Sequence, residues 1–173
     1  MPVREIEIMG SEVLRTPAVE VEHFDDELRS LVRDMFETMY HAEGAGLAGP
    51  QVGVSLRVFV FDMRDEDEGR RQPVALVNPR IVESSKRTMR GPEGCLSIPG
   101  VDEVVTRATS VVVEGFDPGG EPVRLEASGH LSRVFQHEID HLDGVLFVDQ
   151  LTPLKRKMLL SRWKKLREAE EGS

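Results

Sequence analysis

Near the start of the chain, apolar residues recur at steps of three and four: Leu28, Leu31, Val32, Met35, Phe36 and Met39. That spacing puts them on one face of a helix. Asp25-Asp26-Glu27 opens the run at the positive end of the helix dipole, and Gly44 closes it. A Gly-rich turn over 44–53 follows. Residues 56–63 read as a strand, 64–72 as a polar loop, and 74–77 as a short strand broken at Asn78-Pro79. Residues 104–105 and 110–115 are also extended, and Asp117-Pro118-Gly119-Gly120 turns the chain into Val123-Arg124-Leu125. Gly and Pro around Cys95 read as an exposed loop. A second helix is expected over about 130–143, stopped by Gly144, and a third over about 153–168. This order predicts an α+β fold, with antiparallel sheets around a central helix and helices at the N- and C-terminal ends. The 173 residues carry no repeat, low-complexity tract or linker, so one domain over 1–173 is expected.

Composition narrows the class. Apolar residues make up 39 % and charged residues 31 %, which suits a folded chain that is soluble in water. No apolar run approaches the roughly 18–20 residues needed to cross a bilayer. The first residues lack the basic and apolar segments of a secretory signal, and the single cysteine, Cys95, cannot form an intramolecular disulfide. These features point to the cytoplasm and to no membrane partner. The net charge of −9 is uneven: residues 1–154 hold 15 Lys+Arg against 28 Asp+Glu, and residues 155–173 hold 7 against 3. An acidic body argues against general DNA binding, and the basic run from Lys155 to Arg167 is the exception.

The central helix contains Gln136-His137-Glu138-Ile139-Asp140-His141, an HExxH sequence. At about 100° per residue, His137 and His141 lie within roughly 40° of each other, so both imidazoles can reach one ion. Glu138, about 60° from His141, can reach a water on that ion without binding it. On the helical wheel Glu138 falls inside the apolar arc of Leu131, Val134, Phe135, Ile139 and Leu142, where a carboxylate is costly without a task. Ser132, Arg133, Gln136, Asp140 and Asp143 fill the remaining face. The plainer alternative is a surface helix that carries two histidines by chance.

A catalytic ion needs a third protein ligand. The extended HExxHxxGxxH pattern would place histidine where Phe147 stands, and the only late glutamates are Glu168, Glu170 and Glu171. Upstream, Cys95 offers a thiolate, a strong ligand for Zn²⁺ or Fe²⁺. A lone cysteine is more often a small buried hydrophobe, and it can also be a nucleophile paired with histidine. The nucleophile reading leaves HExxH unexplained.

Three motifs now stand in order: Gly44-Ala45-Gly46-Leu47-Ala48-Gly49-Pro50-Gln51, Glu93-Gly94-Cys95-Leu96-Ser97, and Gln136–His141. Together they resemble the GxGLAAxQ, EGCLS and QHExDH motifs of the peptide deformylase family, with Gly49 in place of the usual Ala. The resemblance implies removal of the N-terminal formyl group from nascent formyl-methionyl peptides. It implies one divalent metal ion, Fe²⁺ in the cell with Zn²⁺, Ni²⁺ or Co²⁺ as substitutes, held by Cys95, His137 and His141. Glu138 would be the general base and acid for attack by a metal-activated water. Gln51 and the backbone N–H of Leu96 would hold the oxyanion, and backbone groups of Ala45, Gly46 and Gly94 would bind the peptide. Gly49 is expected to loosen its loop, with room to change pocket width, and to touch none of the side-chain chemistry. The helix around His130, Arg133 and Val134 is expected to line the methionine pocket. Such a substrate leaves the ribosome, so the basic C-terminal helix is either a solvated face or a ribosome contact. The competing readings are a small HExxH peptidase or other amidase, and a binding protein with a structural metal.

Overall fold

Val58, Phe59, Val60 and Phe61 are all fully buried. Successive strand side chains point to opposite faces, so both faces of this strand must be covered. A computed structural model, which describes residues 3–64 and 69–172, shows what covers them. Strands β1 (Gly46–Ala48), β2 (Val58–Asp62), β3 (Pro73–Ser84), β6 (Ser110–Phe116) and β7 (Pro122–Ser128) form one antiparallel sheet in the order β1-β2-β3-β6-β7. Phe59 and Phe61 join Leu76, Val111, Val113 and Ala127 in a core with Val134, Phe135 and Ile139 of helix α2 (Gly129–Leu142). The Phe135 ring meets both phenylalanines edge-on, with centroids 5.8 and 4.8 Å apart. Val58, Val60, Ala75 and Val77 face the other way and pack on Leu28, Leu31, Val32, Met35 and Met39 of helix α1 (Asp26–His41).

A two-stranded ribbon, β4 (Thr88–Cys95) and β5 (Ile98–Ala108), stands apart from this sheet. With the 3₁₀ turn Phe147–Gln150 and helix α3 (Pro153–Glu171), it encloses a further core of Ile98, Val105, Leu146, Phe147, Val148 and Leu159. Helix α2 touches β1, β2, β6 and β7 of the sheet and β5 of the ribbon. It is the central helix of an α+β fold, as the spacing predicts. Among the described residues no helix is long and apolar enough to cross a membrane.

Three local expectations need correction. Asn78 does not break the chain: β3 runs through it, with Asn78 in the left-handed region at φ 51°. Its side chain compensates by accepting from Val21 N–H at 2.8 Å and donating to Val21 O at 3.0 Å. Residues 88–95 form strand β4 rather than an exposed loop, because β5 supplies the pairing that Gly91, Pro92 and Gly94 argue against. The Gly-rich turn likewise contains strand β1 and a 3₁₀ turn, Gly49–Val52. The loop expected over 64–72 falls partly on residues 65–68, outside the described residues.

Candidate metal centre

His137 and His141 lie one turn apart on α2, both buried, with their Nε2 atoms 3.2 Å from each other. Cys95 closes β4, where the register changes abruptly from Gly94↔Asp102 to Cys95↔Ile98. Such an irregularity re-aims a side chain. The Cys95 Sγ lies 3.3 Å from His141 Nε2, and the three donor atoms all fall within 4.8 Å of one another. In a tetrahedral site with nitrogen at about 2.0–2.1 Å and sulfur at about 2.3 Å, neighbouring donors stand roughly 3.3–3.6 Å apart. The separations of 3.2 and 3.3 Å about His141 Nε2 fall close to that spacing, and the donor set suits a single divalent ion.

The outer nitrogen of His137 is held in place. Its Nδ1 lies 2.8 Å from Glu93 Oε1. Arg107 grips the same carboxylate with Nε to Oε2 at 2.8 Å and Nη2 to Oε1 at 2.9 Å, and reaches Asp140 with Nη1 at 2.6 Å. Burial acts upward on the Glu93 carboxyl, but the Arg107 and His137 hydrogen bonds prevail and hold it at about 2. Glu93 is therefore ionised at neutral pH, accepts the Nδ1 proton, and leaves Nε2 as the donor atom facing Cys95 and His141. Burial opposes a charge on His137, and Cys95 and Glu93 outweigh it, raising its pKa; a proton and a cation thus compete for Nε2. Burial pushes the His141 pKa well below the ordinary imidazole value.

Glu138 is buried beside these donors, and its Oε1 has no hydrogen-bond partner among the described residues. Burial pushes its carboxyl up to about 7, with His137 opposing and Glu93 adding. A Cβ built on Gly46 would stand 2.6 Å from Glu138 Oε2, so β1 lies close enough to the carboxylate that any side chain there would displace it. Gln51 is buried too. Its Oε1 accepts from Ala48 N–H at 2.9 Å, which turns Nε2 toward Ser97 Oγ at 3.2 Å and Cys95 Sγ at 3.5 Å. A cleft of about 650 Å³ opens over this group, lined by Ala45, Gly46, Gln51, Gly94, Cys95, Leu96, His137 and Glu138 among others.

Comparison with known proteins identifies the family. The family model for polypeptide deformylase matches residues 3–157. This chain belongs to the peptide deformylase family. It is 51 % identical over 170 residues to the peptide deformylase of Acidothermus cellulolyticus, covering 98 % of this chain and 89 % of that one. The Brucella suis enzyme is 46 % identical, with 96 % and 94 % covered. The crystal structure of a Legionella pneumophila peptide deformylase superposes with a TM-score of 0.90 at 43 % identity, covering 99 % of each chain. The chain is a peptide deformylase, a hydrolase that removes the formyl group from the N-terminal methionine of newly made proteins. The family is one of metalloenzymes, which accords with the Cys–His–His group.

Cys95, His137, His141, Glu138, Gln51, Leu96, Ala45, Gly46 and Gly94 therefore all border one cleft or the donor group beneath it. Gln51, which reads as a solvated loop residue, is 1 % exposed. Gly49 does not line the cleft, and it is closely packed: a Cβ there would stand 2.8 Å from the carbonyl oxygens of both Val54 and Leu56. Sequence reasoning assigned no role to Glu93, Arg107, Asp140 or Gln136. Glu93, Gln136 and Asp140 all stand inside the quoted motifs, and that is the sequence signal that points to them. Gln136 and Asp140 looked like outer-face residues, yet Gln136 pairs with both Ala108 N–H and Ala108 O, at 3.1 and 3.0 Å.

Proposed function

We propose that Cys95 Sγ, His137 Nε2 and His141 Nε2 hold one divalent ion, and that Glu138 moves the protons of formamide hydrolysis. The observation that carries this reading is the convergence of a thiol and two imidazoles beside a buried carboxylate with an unpartnered oxygen. The thiolate–imidazole set accepts several ions. Family resemblance favours Fe²⁺ in the cell, with Zn²⁺, Ni²⁺ or Co²⁺ as substitutes. When bound, the ion supplies Lewis acidity, which makes a water nucleophilic near neutral pH.

The remaining chemistry belongs to this chain. Glu138 takes a proton from the attacking water and returns it to the amine nitrogen as the C–N bond breaks, releasing formate and a free N-terminus. Gln51 Nε2, its amide oriented by Ala48, and the backbone N–H of Leu96 donate to the formyl oxygen as it gains charge. β1 is an edge strand, and an extended peptide pairs with backbone groups of Ala45, Gly46 and Gly94 along the cleft. Residues 1–173 act as one catalytic domain in the cytoplasm, where nascent formyl-methionyl chains emerge. Exposed Lys157, Lys164 and Lys165 on α3 support transient contact with ribosomal RNA or protein, which predicts salt-sensitive co-sedimentation with ribosomes.

The test is Glu138→Ala in protein prepared without oxygen. One ion per chain should remain while formate release from a formyl-Met peptide disappears. Turnover that survives the substitution refutes the proton-transfer role, and loss of the ion from this variant makes Glu138 a ligand instead.

A further inference from the structure

We propose that Arg133 is a positioning residue for the metal centre, clamping the helix that carries both histidines to the ribbon that carries Cys95. The proposal rests on the ligand assignment above and goes beyond it. The three donors come from two separate elements, α2 and β4, and a metal site tolerates only about 0.5 Å of misplacement between them. Something must hold that separation.

Arg133 stands one helical turn before His137, and Glu93 stands two residues before Cys95. Arg133 Nη1 donates to Glu93 Oε2 at 2.7 Å and to Val105 O at 2.9 Å, and Nη2 reaches Met89 O at 3.5 Å. One guanidinium from the helix thus engages both strands of the ribbon and the carboxylate between them. Arg107 also spans the two elements, through Asp140 on α2, but its fork on Glu93 stays within the ribbon and ties β5 to β4. It is Arg133 that brings a guanidinium from the helix to the Glu93 carboxylate. Arg133 anchors Oε2 from the helix side, which leaves Oε1 aimed at His137 Nδ1.

Burial makes the clamp stringent. The Arg133 and Glu93 side chains are 8 % and 4 % exposed, and Arg107 and Asp140 complete a set of two guanidinium groups against two carboxylates. Removing one cation leaves a buried anion short of a partner. The helical wheel places Arg133 on the outer face, and the family resemblance places it in the lining of the methionine pocket. The residue lines the cleft, yet Nη1 is committed to the ribbon, so its charge serves the ligands and not the substrate.

The experiment compares zinc- and cobalt-loaded wild type with Arg133→Met, Arg133→Lys and Gly91→Ala. Met keeps an unbranched apolar stem without the fork. Gly91→Ala keeps the charge but brings a Cβ to 3.0 Å from Arg133 Nη2, nudging the fork. Arg133→Met should release Zn²⁺ to a chelator about 10–100-fold faster, shift the visible Co²⁺ bands and lower kcat, with KM for a formyl-Met peptide within about twofold. Arg133→Lys and Gly91→Ala should lie between it and wild type. A lowered melting temperature with unchanged release and spectrum overturns the proposal, as does a raised KM with unchanged release. If the Met variant does not fold, unchanged release in both other variants is equally fatal. Wild type that binds no ion refutes the ligand assignment, a separate failure.

Discussion

Gly46→Ala separates the chemistry from the fold. A Cβ at position 46 would stand 2.6 Å from Glu138 Oε2 and 3.1 Å from both its Cδ and Cγ. Ordinary contact begins near 3.4 Å, so the carboxylate must retreat by about 0.8 Å, and the crowding at Cγ and Cδ means that the whole end of the side chain moves. Gly46 has no positive φ, so alanine introduces no backbone strain. Glu138 is flexible at its tip and Oε1 has no hydrogen bond to lose among the described residues, so stability should hardly change. Proton transfer is far less forgiving: displacement by about 1 Å costs on the order of 100-fold in rate. The expected loss in kcat is therefore about 10–100-fold, or roughly 1.4–2.7 kcal/mol in the barrier. Formate release from a formyl-Met tripeptide measures kcat, while metal content and melting temperature serve as controls. A kcat within about threefold of wild type, with the ion retained, would refute the role given to the Gly46–Glu138 contact.

Three further outcomes follow from the same packing. Gly49→Ala drives a Cβ against two backbone carbonyls that cannot yield, and should lower the melting temperature by roughly 3–10 °C while kcat/KM at low temperature holds; calorimetry checks it. Ser97→Ala removes the hydroxyl that receives Gln51 Nε2, and losing one neutral hydrogen bond of about 1 kcal/mol should lower kcat about fivefold with the ion retained; unchanged kcat would deny Gln51 its dependence on Ser97. Burial and the hydrogen bond to Asp62 push the only tyrosine, Tyr40, up to about 12. That raised value stabilises the fold below the ordinary tyrosine value of about 10 and ceases to do so as pH rises through about 12. Tyrosinate absorbance should titrate near 12 in wild type and lower in Asp62→Asn; identical midpoints would contradict it.

What was legible in the chain depended on whether contacts were local. Helix α1 and the His137–Glu138–His141 geometry follow from the helical period alone, and the buried arc around Phe135 follows from the same wheel. Cys95 entered as a ligand only by elimination and family resemblance, because the path from β4 to α2 is tertiary. Strand β4 was hidden by Gly91, Pro92 and Gly94, whose local preferences yield to pairing with β5. Asn78 reads as a break because Asn-Pro is a turn signal, while the two hydrogen bonds that hold its left-handed backbone within the strand run to Val21, 57 residues away. A helical wheel sorts by polarity, so Arg133, Gln136 and Asp140 fell on the outer face; they are ties from α2 to the ribbon.

The most direct measurement is X-ray absorption at the metal edge of the zinc-loaded chain. A bound ion should show one sulfur neighbour at about 2.3 Å together with imidazole nitrogens at about 2.0–2.1 Å. A shell of nitrogen and oxygen with no sulfur would remove Cys95 from the coordination sphere and contradict the three-ligand centre.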